Sequence, residues 1–317
     1  MMSKIYSENN YIEEFDSRYT IECELENNSY SIVYRVRDSF SEIKFVVKVF
    51  KKYSELIQKE KELNDILLKS ESPFFIKYIP PSSYDFLSRY YIKFELASKE
   101  NLIKYLSTIK EGFDEANCKI LLYKILKALQ ALHKIGFCHG DIKAQNIFLD
   151  GERFDIKIGN FFFSAPINGK NGKIMQKADS EEYMAPEVKR GKGYDGEKAD
   201  IFSTGVLLFT LRKGKTPFPI SKNFNVGNRI KKLYKYIKDK NEKNFWNILE
   251  KSGIDGFSPE FKNLFFKMVA FNPKERPTIE EILNHEWMKE IIKLNEEEFR
   301  QYEENLIKEL KKRERML

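Results

Sequence analysis

The residues best suited to chemistry fall in one octapeptide, His139-Gly-Asp-Ile-Lys-Ala-Gln-Asn146. Asp141, Lys143 and Asn146 offer a proton acceptor, a fixed cation and a neutral oxygen donor within a single short stretch. A solvated connection between a helix and a strand would have a similar composition, and what sets this one apart is its length and rigid order. A second candidate is Lys48 in Phe45-Val-Val-Lys48, where strand alternation puts Val46 and Lys48 on one face. Other chemistries are disfavoured. Three histidines are too few for a His-based metal site, and Cys23, Cys118 and Cys138 are far apart with no CxxC pattern. That usage indicates reduced thiols rather than a disulfide framework or a zinc site.

The elements that must position these residues follow from patterning. With 317 residues and 42% hydrophobic content, the chain can bury a substantial core, as one large domain or two joined lobes. Residues 19–50 are strand-like, rich in β-branched and aromatic side chains. A helix over Ser54–Lys69 is predicted, broken by Ser72-Pro73. Further strands are expected over 74–79 and 90–96. From Asn101 the chain is mostly helical, the strongest segment running from Asn117 to Ile135 with a Gly136 stop. Strands first and helices after them imply an α+β fold of two lobes with a boundary near Ala97.

The formal net charge is +7, with Lys dominating. No Lys/Arg block resembles a nucleic-acid arm, so the expectation is a solvated basic surface and no nucleic-acid partner. The N-terminus MMSKIYSENN is polar and lacks the apolar core of a signal peptide. The longest apolar run, residues 201–211, is interrupted by Ser203, Thr204 and Thr210 and reads as a buried helix, too short to span a bilayer. An intracellular protein, cytoplasmic or nuclear, with no membrane segment is expected.

The octapeptide resembles the catalytic loop of eukaryotic protein kinases, and its Lys resembles the Ser/Thr type. The resemblance implies that Asp141 orients the substrate hydroxyl and accepts its proton, that Lys143 neutralises charge on the transferred phosphoryl, and that Asn146 holds Mg²⁺. Phe45-Val-Val-Lys48 is similar to the strand whose Lys grips the phosphates of ATP. Its helix partner is expected to be Glu62, with Ile66 packing inward one turn later and Glu60 as the alternative. Tyr183-Met-Ala-Pro-Glu187 resembles the end of an activation segment, and Asp200-Ile-Phe-Ser-Thr-Gly205 the start of the buried helix anchoring the large lobe. Arg276 is expected to pair with Glu187. His285-Glu-Trp-Met288 is similar to the end of kinase domains in the calcium/calmodulin-dependent group. The implied organisation is an extension over 1–18, a small β-rich lobe with one main helix over 19–97, a larger mainly helical lobe over 98–288, and a charged helix over 289–317.

Three departures from that family stand out. Aligning Leu25 and Val33 puts Glu26, Asn28 and Ser31 where the glycine-rich loop has its glycines, and side chains there restrict close approach to phosphate. The metal-binding segment reads Asn160-Phe161-Phe162 in place of Asp-Phe-Gly. An amide oxygen lacks the charge that hard Mg²⁺ favours, and a loss of about 3–4 kcal/mol would slow transfer roughly a hundred- to a thousandfold. Gly140 replaces the Arg that often precedes the catalytic Asp. The adenine pocket is expected from Val46, Phe148 and the hinge residues Glu95-Leu96-Ala97, with Phe94 as a bulky gatekeeper.

The resemblance therefore implies a Ser/Thr kinase using ATP and weakened Mg²⁺ at Asn146 and Asn160, with low activity towards a protein substrate. The alternative is an inactive pseudokinase that binds nucleotide or a signalling partner. In the tail, Ile292, Phe299 and Leu306 recur every seven residues, predicting one helix that packs back in cis or captures a partner.

Overall fold

Period-2 alternation of apolar residues demands a sheet with one apolar face, and a computed structural model of the chain forms one near the N-terminus. The structure describes residues 19–84, 90–108, 111–167, 174, 178, 180–191, 193–219 and 224–317. The expected extension over 1–18 lies outside them. The chain divides into two compact units, residues 1–72 with 76–97 and residues 73–75 with 98–317. The first is β-rich with one main helix and the second is mainly helical, which is the α+β class expected.

In the first unit β1 (Tyr19–Asn27), β2 (Ser31–Asp38), β3 (Lys44–Phe50), β4 (Tyr78–Tyr84) and β5 (Tyr90–Glu95) form a sheet in the order β1-β2-β3-β5-β4. All four pairings are antiparallel. Ile32, Tyr34, Val36, Phe45, Val47 and Val49 pack together on one face, and full burial of such a side chain stabilises by about 1.5–3 kcal/mol. The opposite face carries a row across the sheet in which Glu26 pairs with Val33, Val33 with Lys48 and Lys48 with Ile92. The single helix is α1 (Glu55–Lys69), started by Ser54, whose hydroxyl accepts from the Leu56 amide. It buries Ile57, Glu60, Leu63, Asn64 and Leu67, while Ile66 is exposed, contrary to its expected inward packing. The strand expected from Phe74 starts only at Tyr78, because residues 73–75 belong to the other unit, where Phe75 bridges Ile158.

The second unit holds α2 (Leu102–Ser107), α3 (Glu115–Lys134), β6 (Phe137–Cys138), β7 (Ile147–Asp150), β8 (Asp155–Ile158), β9 (Ala165–Pro166) and α4 (Pro186–Arg190). It continues with α5 (Gly196–Lys213), α6 (Phe224–Lys238), α7 (Glu242–Glu250), α8 (Pro259–Met268), α9 (Ile279–Leu283), α10 (Lys289–Ile292) and α11 (Glu296–Glu314). Two short antiparallel pairs, β6 with β9 and β7 with β8, flank the octapeptide. Helix α5 is apolar nearly all round and therefore buried. At Gly205 a Cβ would come within 2.9 Å of Met268, so the glycine permits the close approach of α5 and α8. Arg276 is buried and makes a two-pronged bond to Glu187 at 2.6 and 2.7 Å, the pairing expected. Among the described residues no helix is long and apolar enough to cross a membrane.

The single tail helix expected over 289–317 is instead two helices. Asn295 caps α11 and exchanges hydrogen bonds with Glu298, so the chain turns between α10 and α11. Ile292 is consequently exposed and Ile291 is buried in its place. Leu306 and Leu310 of α11 are buried, and Tyr123 of α3 meets Phe299 at 5.2 Å between ring centres. Arg313 donates to the carbonyls of Tyr105 and Gly112 and lies 4.0 Å over the Phe113 ring.

Candidate active site

Each unit carries its own group of candidate residues. In the first, Lys48 Nζ donates to both carboxylate oxygens of Glu60 at 2.9 Å, with both side chains buried. The expectation that Glu62 takes this role is thereby corrected. The stripe of Ile57, Leu63 and Leu67 faces the sheet, and Glu60 fills the gap in it. Glu62 lies two residues further round α1 and accepts from Gln58 at 3.1 Å instead. Val33 and Val46 are half-buried on the Lys48 face. Leu25 is exposed, because the pairing of β1 with β2 skips from Glu24 to Glu26. Glu95 accepts from the Lys77 amide at 2.9 Å, and Ala97 is half-buried.

The turn between β1 and β2 is stitched by a side chain. Asn28 Oδ1 accepts from the amides of Tyr30 and Ser31, each at 2.9 Å, while Asn28 Nδ2 donates to Glu26 at 2.9 Å. None of residues 26–31 has a positive φ. Without glycine the turn therefore closes on itself as an Asx turn, and two of its amide donors are occupied internally.

In the second unit the octapeptide is held from below by Asp200, which accepts from the amides of His139 at 2.8 Å and Gly140 at 2.9 Å. His139 is fully buried; its Nδ1 accepts from the Asp141 amide at 3.1 Å and its Nε2 donates to the Gly159 carbonyl at 3.1 Å. Burial pushes its pKa below the usual imidazole range, so the ring is neutral in this geometry. Asp141 Oδ2 accepts from Lys143 at 2.8 Å and from Asn146 at 3.0 Å. Asp141 Oδ1 is buried with no hydrogen-bond partner. Lys143 also donates to Ser180 at 2.7 Å, tying the loop to the segment that ends at Glu187.

Asn160 is brought to Asn146 and donates from Nδ2 to its Oδ1 at 3.1 Å. Its backbone is left-handed, with φ 64°, a conformation Asn tolerates better than most residues. The following tight turn, Phe161–Phe163, packs Phe161 against His139 and Phe75. Ser164 closes the contact by donating to the His139 carbonyl at 3.0 Å. This arrangement explains Gly140: its φ is +75°, and a Cβ there would lie 2.5 Å from the Phe163 carbonyl. Phe148 is half-buried on β7, bridged to Asn101.

Asp150 was not marked out by the sequence. It accepts from the Ser98 amide at 2.8 Å and from Lys157 at 2.8 Å. Burial raises its pKa, but the bonds from Lys157 and Ser98 outweigh that and bring it down to about 2. No local motif signals this residue, since its partners lie elsewhere in the chain. The anchoring of Lys143 by Ser180 was equally hidden.

The family model for the protein kinase domain matches residues 19–288. The chain is 28% identical over 213 residues to testis-specific serine/threonine-protein kinase 5 of Mus musculus, covering 65% of this chain and 52% of that protein. It is 28% identical over 277 residues to a putative ribosomal protein S6 kinase alpha-1 of Caenorhabditis elegans, covering 86% of this chain and 34% of that one. A CBL-interacting serine/threonine-protein kinase 7 of Arabidopsis thaliana is 30% identical over 211 residues, 66% of this chain and 45% of that protein. The chain thus spans 34–52% of the length of these relatives.

Proposed function

The chain belongs to the protein kinase family, and from that premise we propose that it transfers the γ-phosphoryl group of ATP to a Ser or Thr hydroxyl of a protein, at a low rate. The catalytic domain is assigned to residues 19–288, with a small lobe over 19–97 and a large lobe over 98–288. Free thiols, two of them buried, suit an intracellular setting, cytoplasmic or nuclear.

The observation that carries this reading is the state of Asp141. One of its oxygens is held by Lys143 and Asn146, while the other is buried and unsatisfied. A buried acceptor without a donor is costly, and a substrate hydroxyl supplies the missing donor. In the reaction Oδ1 takes the hydroxyl proton as the substrate oxygen bonds to the γ-phosphorus. The bond from that phosphorus to the β-phosphate oxygen breaks, and ADP leaves. Lys143 offsets charge on the moving phosphoryl group, and Lys48, held extended by Glu60, offsets charge on the remaining phosphates. Leu25, Val33, Val46, Glu95, Ala97 and Phe148 are assigned to the nucleotide.

Kinases of this family use ATP with Mg²⁺. The donors offered here are two neutral amides already bonded to one another, Asn146 and Asn160. They do not fit a hard dication that favours carboxylate oxygen, so metal support is weakened and no step above runs through a metal. The same amide pair and the self-closed turn at Asn28 favour a second reading, a pseudokinase that serves as a nucleotide- or protein-binding scaffold.

Radiolabelled transfer to a generic protein separates the two. The kinase reading expects weak transfer by the unmodified chain, none by Asp141→Ala, and a roughly hundred- to thousandfold gain in Mg²⁺-dependent transfer by Asn160→Asp. Equal signal from all three proteins means contamination and leaves the scaffold reading.

A further inference from the structure

Helix α6 carries a face of one charge. Lys231, Lys235 and Lys238 fall on one stripe at spacings of four and three, with Lys232 beside it, and all four are exposed. Among the described residues none of the four is paired with a carboxylate; the ion pair nearby, Lys240 with Glu275, lies past the helix end. The helix is seated by Leu233 and Ile237, which are buried, and by Tyr234, which stacks on Phe218 at 4.6 Å between ring centres. Like charges one helical turn apart repel, so the fold holds this face at a cost that an anionic partner would relieve. By contrast α11 carries both signs, acidic in its first turn and basic in its last, and pairs Arg313 with Glu309.

The cationic face extends onto α4. Lys189 donates to the Tyr234 hydroxyl at 2.9 Å, and Arg190 and Lys238 lie over the same Phe271 ring at 4.7 and 5.9 Å. Helix α4 follows Ala185 directly, and its Val188 lines one small cavity together with Asp141, Ser180 and Tyr183. The basic patch is therefore continuous, within one unit, with the surroundings of the proposed base.

We propose that the α4 and α6 face docks an acidic segment of the protein substrate, so that the chain selects hydroxyls flanked by Asp or Glu. The proposal rests on the kinase reading for calling that partner a substrate. A docked carboxylate-rich peptide gains from several lysines at once, and the attraction is screened over about 8 Å at physiological salt.

The test is fluorescence polarisation of a labelled Glu-rich peptide containing one Ser, with the full chain and with the triple variant Lys231→Glu, Lys232→Glu, Lys235→Glu. Binding by the unmodified chain is expected to weaken as salt rises and to fall at least roughly tenfold in the triple variant. Its melting temperature should stay unchanged, since these side chains are exposed; Lys231→Ala with Lys235→Ala serves as a milder second variant. The Asp141→Ala protein should bind the peptide normally, so failure of the kinase reading would show as lost transfer and not as lost docking. Peptide binding unaffected by either lysine variant overturns the proposal, as does absence of peptide binding. Phosphatidylserine vesicles captured through these lysines without any peptide binding also overturn it, in favour of a membrane-facing patch.

Discussion

Two side-chain pairs hold the candidate machinery, and they differ in kind. In the first unit Lys48 and Glu60 form a buried ion pair, and in the second Asn146 and Asn160 join two neutral amides. The ion pair keeps a cation extended on the sheet face and is anchored further by the Phe50 ring, 5.1 Å from the ammonium. It binds strongly only because neither partner can leave without exposing a bare charge to a dry interior. The amide pair satisfies itself with an ordinary hydrogen bond, worth about 0.5–1.5 kcal/mol net. It generates little field for an incoming cation. One pair thus holds a cation in place through an opposite charge, while the other is two neutral groups that satisfy each other.

Breaking the ion pair should give the largest effect. Glu60→Ala is expected to lower unfolding free energy by about 3–5 kcal/mol, since it strands a buried ammonium, as read from urea denaturation. A loss under 1 kcal/mol would mean that Lys48 simply swings to solvent. Converting the neutral pair comes next. Asn160→Asp should create Mg²⁺-dependent thermal stabilisation that the unmodified chain lacks, about 2.7 kcal/mol at a hundred times the dissociation constant. An unchanged melting curve with Mg²⁺ would show that charge alone does not rebuild the site.

A third effect is pH dependence through His139. Its folded pKa is depressed by burial, so between that value and its ordinary value the unfolded chain binds a proton that the folded chain refuses. Stability from this group is fully present above about 6.5 and declines as pH falls below it. Chemical denaturation from pH 7.5 downward checks this, and His139→Gln should flatten the dependence. The smallest effect is the control: Glu62→Ala should change stability by no more than about 0.5 kcal/mol, being near the surface.

The octapeptide, Lys48, the buried α5 and the pairing of Arg276 with Glu187 were legible because each depends on residue types in fixed order. The partner of Lys48 departs from expectation because Ile66, expected to pack inward one turn after Glu62, is exposed. The Ser54 cap and the stripe of Ile57, Leu63 and Leu67 would have pointed to Glu60. The break in the tail was also written locally, as Asn295 three residues before Glu298, but a heptad-like recurrence of apolar residues masked it. What could not be read were contacts set by tertiary approach. Asn28 turning its carboxamide onto its own loop, Asn160 reaching Asn146 and Phe163 closing the space beside Gly140 all depend on backbone positions that no single segment specifies.

The bond from Arg313 to the carbonyls of Tyr105 and Gly112 joins positions 208 and 201 residues apart. It has a consequence for the order in which the chain assembles on the ribosome. The sheet unit needs nothing beyond residue 97 for its own contacts. In the second unit the Gly112 carbonyl, between α2 and α3, and the Tyr105 carbonyl of α2, which also accepts from the Thr108 hydroxyl, are both reached from almost the last turn of α11. The Gly112 carbonyl therefore emerges well before Arg313, its partner 201 residues later. Closing so long a loop is slow in entropic terms, so this corner of the second unit completes its contacts late in folding.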